Sequence, residues 1–108
     1  MANETMERME NVTLLCKANV YFGGKVVSHT VINGTRRHTV GVIYPGTYTF
    51  DTEAAERMEI IAGACRVKVA GEAEAKQFEA GSTFAVGAKS SFEIAVDSGL
   101  AEYVCSFE

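Results

Sequence analysis

The stretch Gly46-Thr47-Tyr48-Thr49-Phe50-Asp51-Thr52-Glu53-Ala54-Ala55-Glu56-Arg57-Met58-Glu59-Ile60-Ile61-Ala62-Gly63 decides the fold class. Tyr48 and Phe50 fall on one face and Thr49 and Asp51 on the other, the period of a half-buried β-strand. Met58, Ile60 and Ala62 repeat that period. Gly63 interrupts it, and Val67 and Val69 take it up again within Cys65 to Val69. Working outward, Lys25 to Val31 and Thr39 to Ile43 are rich in β-branched residues. Between them Asn33-Gly34 signals a hairpin, because both residue types tolerate positive φ. Tyr44-Pro45-Gly46 marks the next turn and contains the only proline. Downstream, Ala70 to Glu74 is a polar loop. Phe78, then Phe84 with Val86, then Phe92, Ile94 and Val96, then Tyr103, Cys105 and Phe107 continue the alternation. About ten short strands separated by glycine-bearing turns predict an all-β sandwich or barrel. Thr52 to Glu59 has room for a short helical turn, and no long amphipathic helix is expected anywhere.

A chain of 108 residues supports one hydrophobic core and one domain. Residues 1–11 are polar and acidic and are expected to be a flexible tail, with the single domain over residues 12–108. The net charge of −4 argues against a nucleic-acid polymer as partner and leaves room for a local basic pocket holding one small anion. The apolar runs are too short for a membrane span, and the N-terminus lacks the apolar segment of a secretory signal. Cys16, Cys65 and Cys105 are odd in number and widely spaced, which suits free thiols in a reducing cytoplasm.

Two glycine-anchored blocks carry more than periodicity. In the first, Glu56 is followed by six residues and then Gly63; the second runs Glu79-Ala80-Gly81-Ser82-Thr83-Phe84-Ala85-Val86-Gly87-Ala88-Lys89-Ser90-Ser91-Phe92. Together they resemble the two signature motifs of the cupin superfamily, which implies a cupin-like β-barrel, also described as a double-stranded β-helix or jelly roll. In that register Phe50, Thr52 and Phe92 stand where the superfamily has metal-binding histidines, and only Glu56 of the ligand set remains. One carboxylate facing two phenyl rings falls short of the three protein ligands a transition metal needs. No metal is therefore expected. His29 and His38 lie outside both blocks and are expected at the surface or at a strand edge.

The resemblance narrows further. Tyr21-Phe22-Gly23-Gly24-Lys25-Val26-Val27-Ser28, then Thr39-Val40-Gly41-Val42, then Tyr48-x-Phe50-x-Thr52 and Glu56-x-Met58, and finally Tyr103-x-Cys105 are similar to the cupin-type pyrimidine/purine nucleoside phosphorylase family. The likeness runs from about Asn19 to the C-terminus. It departs at Gly87-Ala88-Lys89, where family members often carry Pro-Gly-His or Pro-Gly-Asn. It implies a metal-independent, cofactor-free and often dimeric enzyme of broad specificity. Such an enzyme converts purine or pyrimidine nucleosides and inorganic phosphate to free base and pentose 1-phosphate.

Phosphorolysis passes through an oxocarbenium-like transition state. It needs a cationic cradle for phosphate, a polar group to steady the departing base, and partners for the ribose hydroxyls. Lys25, Arg37 and Arg57 are candidates for the cradle. Glu56 and Glu59 are candidates for contact with base or ribose. Glu56, flanked by Phe50 and Phe92, is expected to be desolvated, with a raised pKa suited to proton donation. Tyr48, Phe50 and Phe92 are candidates for stacking on the base, and Ser90 and Ser91 for hydrogen bonds to sugar or phosphate. Glu56, Arg57 and Glu59 form the expected catalytic set. Lys25, Arg37, Tyr48, Phe50, Ser91 and Phe92 form the substrate-binding set. Each of these also has a bland reading as solvated cation, turn residue or core aromatic. Two other functions remain open. One is a binding cupin that captures a sugar or anion without turnover, and the other is a structural dimer with a filled interior. A small barrel has strand edges to protect, and Val12 to Val20 is the expected homodimer interface.

Overall fold

The computed structural model of the protein describes residues 6–108. The first five residues of the expected tail lie outside the described residues. Among the described residues eleven strands form two antiparallel sheets. The large sheet contains β1 (Thr13–Leu14), β2 (Asn19–Tyr21), β3 (Val26–Asn33), β4 (Arg36–Ile43), β6 (Glu56–Ala62), β9 (Thr83–Val86) and β11 (Ala101–Phe107). Its order is β1-β3-β4-β11-β6-β9, with β2 also paired to β3. The small sheet is ordered β5-β10-β7-β8, from β5 (Gly46–Asp51), β10 (Ser91–Val96), β7 (Ala64–Val69) and β8 (Lys76–Glu79). From β4 onward the chain crosses from one sheet to the other at nearly every turn. This is the winding of a jelly roll, and it gives the cupin-like architecture. The ladders of the two sheets do not join, so the barrel is closed by side chains rather than by backbone hydrogen bonds.

The alternation read from the sequence is the alternation of burial. On β5, β6, β10 and β11 the inward residues Tyr48, Met58, Ile60, Phe92, Ile94, Val96, Tyr103 and Cys105 join one core cluster. Burying one such side chain stabilises the fold by roughly 1.5–3 kcal/mol. The β3–β4 hairpin forms where expected. Its loop is Gly34-Thr35, since Asn33 already pairs with Arg36, and Gly34 supplies the positive φ of 64°. The expected helical turn within Thr52 to Glu59 does not form, and β6 begins at Glu56. Thr52 holds the chain away from a helix. Its hydroxyl donates to the Gly87 carbonyl at 2.6 Å and accepts from the Ser90 amide at 2.9 Å, and its own amide donates to the Ser90 carbonyl. One side chain thus ties the β5–β6 turn to the β9–β10 turn. The helical turn that does occur is 3₁₀, at Phe22–Gly24.

Two glycines have steric reasons. Gly63 has φ +80°, and a Cβ there would collide with the Leu100 carbonyl oxygen. At Gly41 a Cβ would lie 2.7 Å from Ser28 Cβ and 2.9 Å from the Tyr103 hydroxyl. The bare backbone of Gly41 lets those two side chains meet across the inner face.

Candidate active site

A cavity of about 320 Å³ opens between the sheets, within the range of small-molecule sites, about 300–1,000 Å³. Its two walls differ in chemistry. The small sheet contributes Phe50 and Phe92, stacked with centroids 5.5 Å apart and planes 22° apart. Phe22 and Tyr21 stand edge-on to Phe50 at 5.3 and 5.9 Å. The large sheet contributes a polar wall, because β3, β4 and β11 carry Ser28, Thr30, Thr39, Tyr103 and Cys105 on their inward positions. Asn19 of β2 donates through its amide nitrogen to Thr30 Oγ1 at 3.1 Å and Ser28 Oγ at 3.3 Å. The rim carries Asp51 and Glu53.

Glu56 supplies charge within the cavity, and the exposed Arg37 supplies it at the mouth. The Arg37 guanidinium carbon sits 4.0 Å above the centre of the Phe107 ring, a cation–π contact that fixes a long side chain over the opening. Glu56 is half-buried and accepts a hydrogen bond from the Cys105 thiol at 3.4 Å. Burial raises the Glu56 pKa above its ordinary value, and the Cys105 hydrogen bond and the Arg37 charge offset part of that rise. Burial also pushes the Tyr103 phenol up to about 12. A carboxyl with a raised pKa, one guanidinium and a stacked aromatic wall thus face a single chamber. Among the described residues no three His, Cys, Asp or Glu side chains converge as a metal-binding group.

The model of the pyrimidine/purine nucleoside phosphorylase family matches residues 16–107. The chain belongs to that family. It is 56% identical over 104 residues to a pyrimidine/purine nucleoside phosphorylase of Thiobacillus denitrificans, covering 94% of this chain and 99% of the relative. A crystal structure of a DUF1255 protein of unknown function from Acinetobacter sp. ADP1 superposes with a TM-score of 0.89 at 45% identity, covering 94% and 98% of the two chains. The EutQ protein of Clostridium difficile is 13% identical with a TM-score of 0.65, covering 76% of this chain and 66% of its own, and shows the fold alone.

In this member of the pyrimidine/purine nucleoside phosphorylase family, four of the nine expected site residues line the cavity: Arg37, Phe50, Glu56 and Phe92. The other five do not. Arg57 and Glu59 alternate with Glu56 and Met58 along β6 and so point from the opposite face of the large sheet. There Arg57 Nη1 lies 3.3 Å from Glu59 Oε2, without the alignment of a hydrogen bond. Glu59 is nonetheless buried, and its Oε1 accepts from the Met6 amide at 3.2 Å. Tyr48 is a core residue whose hydroxyl donates to the Tyr44 and Pro45 carbonyls at 2.8 and 2.9 Å, so its polar end closes a turn. Ser91 precedes Phe92 and by alternation faces away. Lys25 is exposed beside the 3₁₀ turn and reaches no cavity wall. His38, expected at the surface or a strand edge, is instead buried, with Nδ1 2.8 Å from Ser106 Oγ on the adjoining strand.

The polar wall was missed from the sequence. A signal for it exists. Ser28 and Thr30 are in phase with Val26, and Thr39 and Gly41 with Ile43, so polar or small residues occupy positions where period two demands apolar ones. That break in the pattern marks a lined cavity instead of a filled core.

Proposed function

We propose that this chain is a metal-independent nucleoside phosphorylase of broad base specificity. The observation that carries the reading is the pairing, in one chamber, of a carboxyl with a raised pKa and a guanidinium, opposite a stacked pair of phenyl rings. The base stacks on Phe50 and Phe92, a contact that every purine and pyrimidine can make because each has a π face. Arg37 holds the phosphate dianion by paired N–H donors. A phosphate oxygen forms the new bond to C1′ as the bond from C1′ to the base nitrogen breaks. The electron pair leaves with the base, and Glu56 in its protonated form delivers a proton to it. The polar wall and the rim carboxylates of Asp51 and Glu53 take the ribose hydroxyls and hold the sugar in line. Metal independence is supported by Phe50, Thr52 and Phe92, which offer two hydrocarbon rings and a hydroxyl already bonded to backbone.

The deciding experiment incubates chelator-treated protein with uridine, adenosine, inosine and cytidine, with and without inorganic phosphate. Free base and pentose 1-phosphate are expected only with phosphate. Release without phosphate means a hydrolase, and binding without release means a sugar- or anion-binding cupin.

We also infer a homodimer joined along the edge spanning Val12 to Val20, where Leu14, Leu15 and Val20 are 56%, 44% and 61% exposed. A cytoplasmic setting is inferred from Cys16, Cys65 and Cys105, all free.

A further inference from the structure

We propose that Cys105 is the positioning residue for Glu56: its thiol binds Oε1 of the carboxyl and so leaves Oε2 as the oxygen presented to substrate. This rests on the reading of Glu56 as proton donor. The geometry comes from the register of β11. Phe107 lies directly opposite Glu56, and Cys105 directly opposite Met58. Cys105 is therefore the diagonal neighbour of Glu56, at a spacing that side chains still bridge. It does so at 3.4 Å from Sγ to Oε1, the one hydrogen bond to the Glu56 side chain among the described residues.

On its other side Cys105 pairs across the ladder with Thr39. Thr39, Cys105 and Glu56 thus follow one another across β4, β11 and β6 on the same face of the sheet. All three residues line the cavity. Burial and the neighbouring carboxylate raise the thiol pKa, so Cys105 stays protonated and remains a donor throughout the working pH range. A nucleophilic or redox thiol has the opposite character, ionised and exposed. The other charged or titratable groups facing Glu56 are Arg37 from β4, Tyr103 from β11, and Asp51 and Glu53 at the rim.

A carboxyl that donates a proton must offer the protonated oxygen in a fixed direction. A half-buried glutamate with no partner would rotate, and it would titrate at still higher pH because its ionised form loses a donor. Serine at the same position keeps the donor, and alanine removes it.

The test follows the Glu56 carboxyl by ¹³C NMR of glutamate-labelled protein in the native sequence, C105A and C105S, with E56Q to assign the resonance. In parallel the pH profiles of kcat and KM for uridine phosphorolysis are measured. C105A is expected to titrate at higher pH than the native protein. Its descending activity limb should move the same way, with kcat about fivefold to tenfold lower and KM little changed. C105S should titrate at or below the native pH and recover most of kcat. An unchanged Glu56 titration in C105A, or C105S behaving as C105A does, overturns the proposal and reduces Cys105 to packing. A shifted titration in a protein that phosphorolyses nothing upholds the contact and removes only the enzymatic reading.

Discussion

Glu56 is the half-buried carboxyl of the chamber, and its environment has consequences for stability as well as for the proposed turnover. Its folded-state pKa lies above the ordinary carboxyl value, so the folded chain binds this proton more tightly than the unfolded chain does. The contribution of Glu56 to stability is then fully present below the unfolded pKa, and it is lost as pH rises through the folded pKa. E56Q should gain stability relative to the native protein as pH increases across that window, measured by urea unfolding at a series of pH values. A constant difference would mean that the carboxyl titrates normally. The same substitution should lower kcat by about 10²–10⁴-fold, the usual contribution of a positioned acid. At Arg37, replacement by Ala should raise the KM for phosphate about 10–100-fold, with a smaller effect on nucleoside affinity. Lysine should restore only part of this, because it lacks the planar fork and the stacking on Phe107. Phosphate titrations at fixed uridine separate the two effects. The placement of Phe50 and Phe92 on the cavity wall was legible because they occupy motif positions. Arg57 and Glu59 lie off this cavity, because the strand period that brings Glu56 and Met58 inward turns them to the other face of the sheet.

At the scale of elements, the turns fix the site more than the strands do. Thr52 occupies a position where cupins place a ligand, yet here its hydroxyl clamps two turns together. Thr52→Val removes that clamp and leaves the Ser90 amide without its partner, so a loss of about 1–3 kcal/mol is expected in chemical denaturation. Gly63→Ala meets both a positive φ and the Leu100 carbonyl and should cost about 3 kcal/mol, read as a lowered midpoint with an unchanged slope. Element boundaries from β3 to β11 were largely readable, since alternation and burial coincide there. The helical turn expected at Thr52 to Glu59 was not found, because side-chain bonds to a turn 35 residues away decide that segment, and local propensity has no knowledge of them. The 3₁₀ turn at Phe22–Gly24 went unread for a related reason. Its three consecutive positive φ values follow from aromatic packing of Phe22 against Tyr48 and Phe50, contacts between segments distant in sequence.

For the whole molecule, the all-β jelly roll followed from pattern and motif together, whereas the hollow between its sheets is a tertiary property. A cavity is space that side chains leave open, and no single strand encodes it. The exposed residues of the N-terminal edge bear on assembly. Leu14→Glu combined with Val20→Glu should convert a dimer to a monomer in light-scattering chromatography, and an unchanged mass would place the interface elsewhere.

The strand order of the large sheet has one more implication. β11, the farthest along the chain, lies between β4 and β6 and pairs with both, and it brings Tyr103, Cys105 and Phe107 to the chamber. During synthesis β4 and β6 must wait as separate half-sheets, with Arg37 on one and Glu56 on the other. Only when β11 slides in between them as a keystone do the guanidinium and the carboxyl come to share a chamber, so completing the large sheet and assembling the chamber are one step.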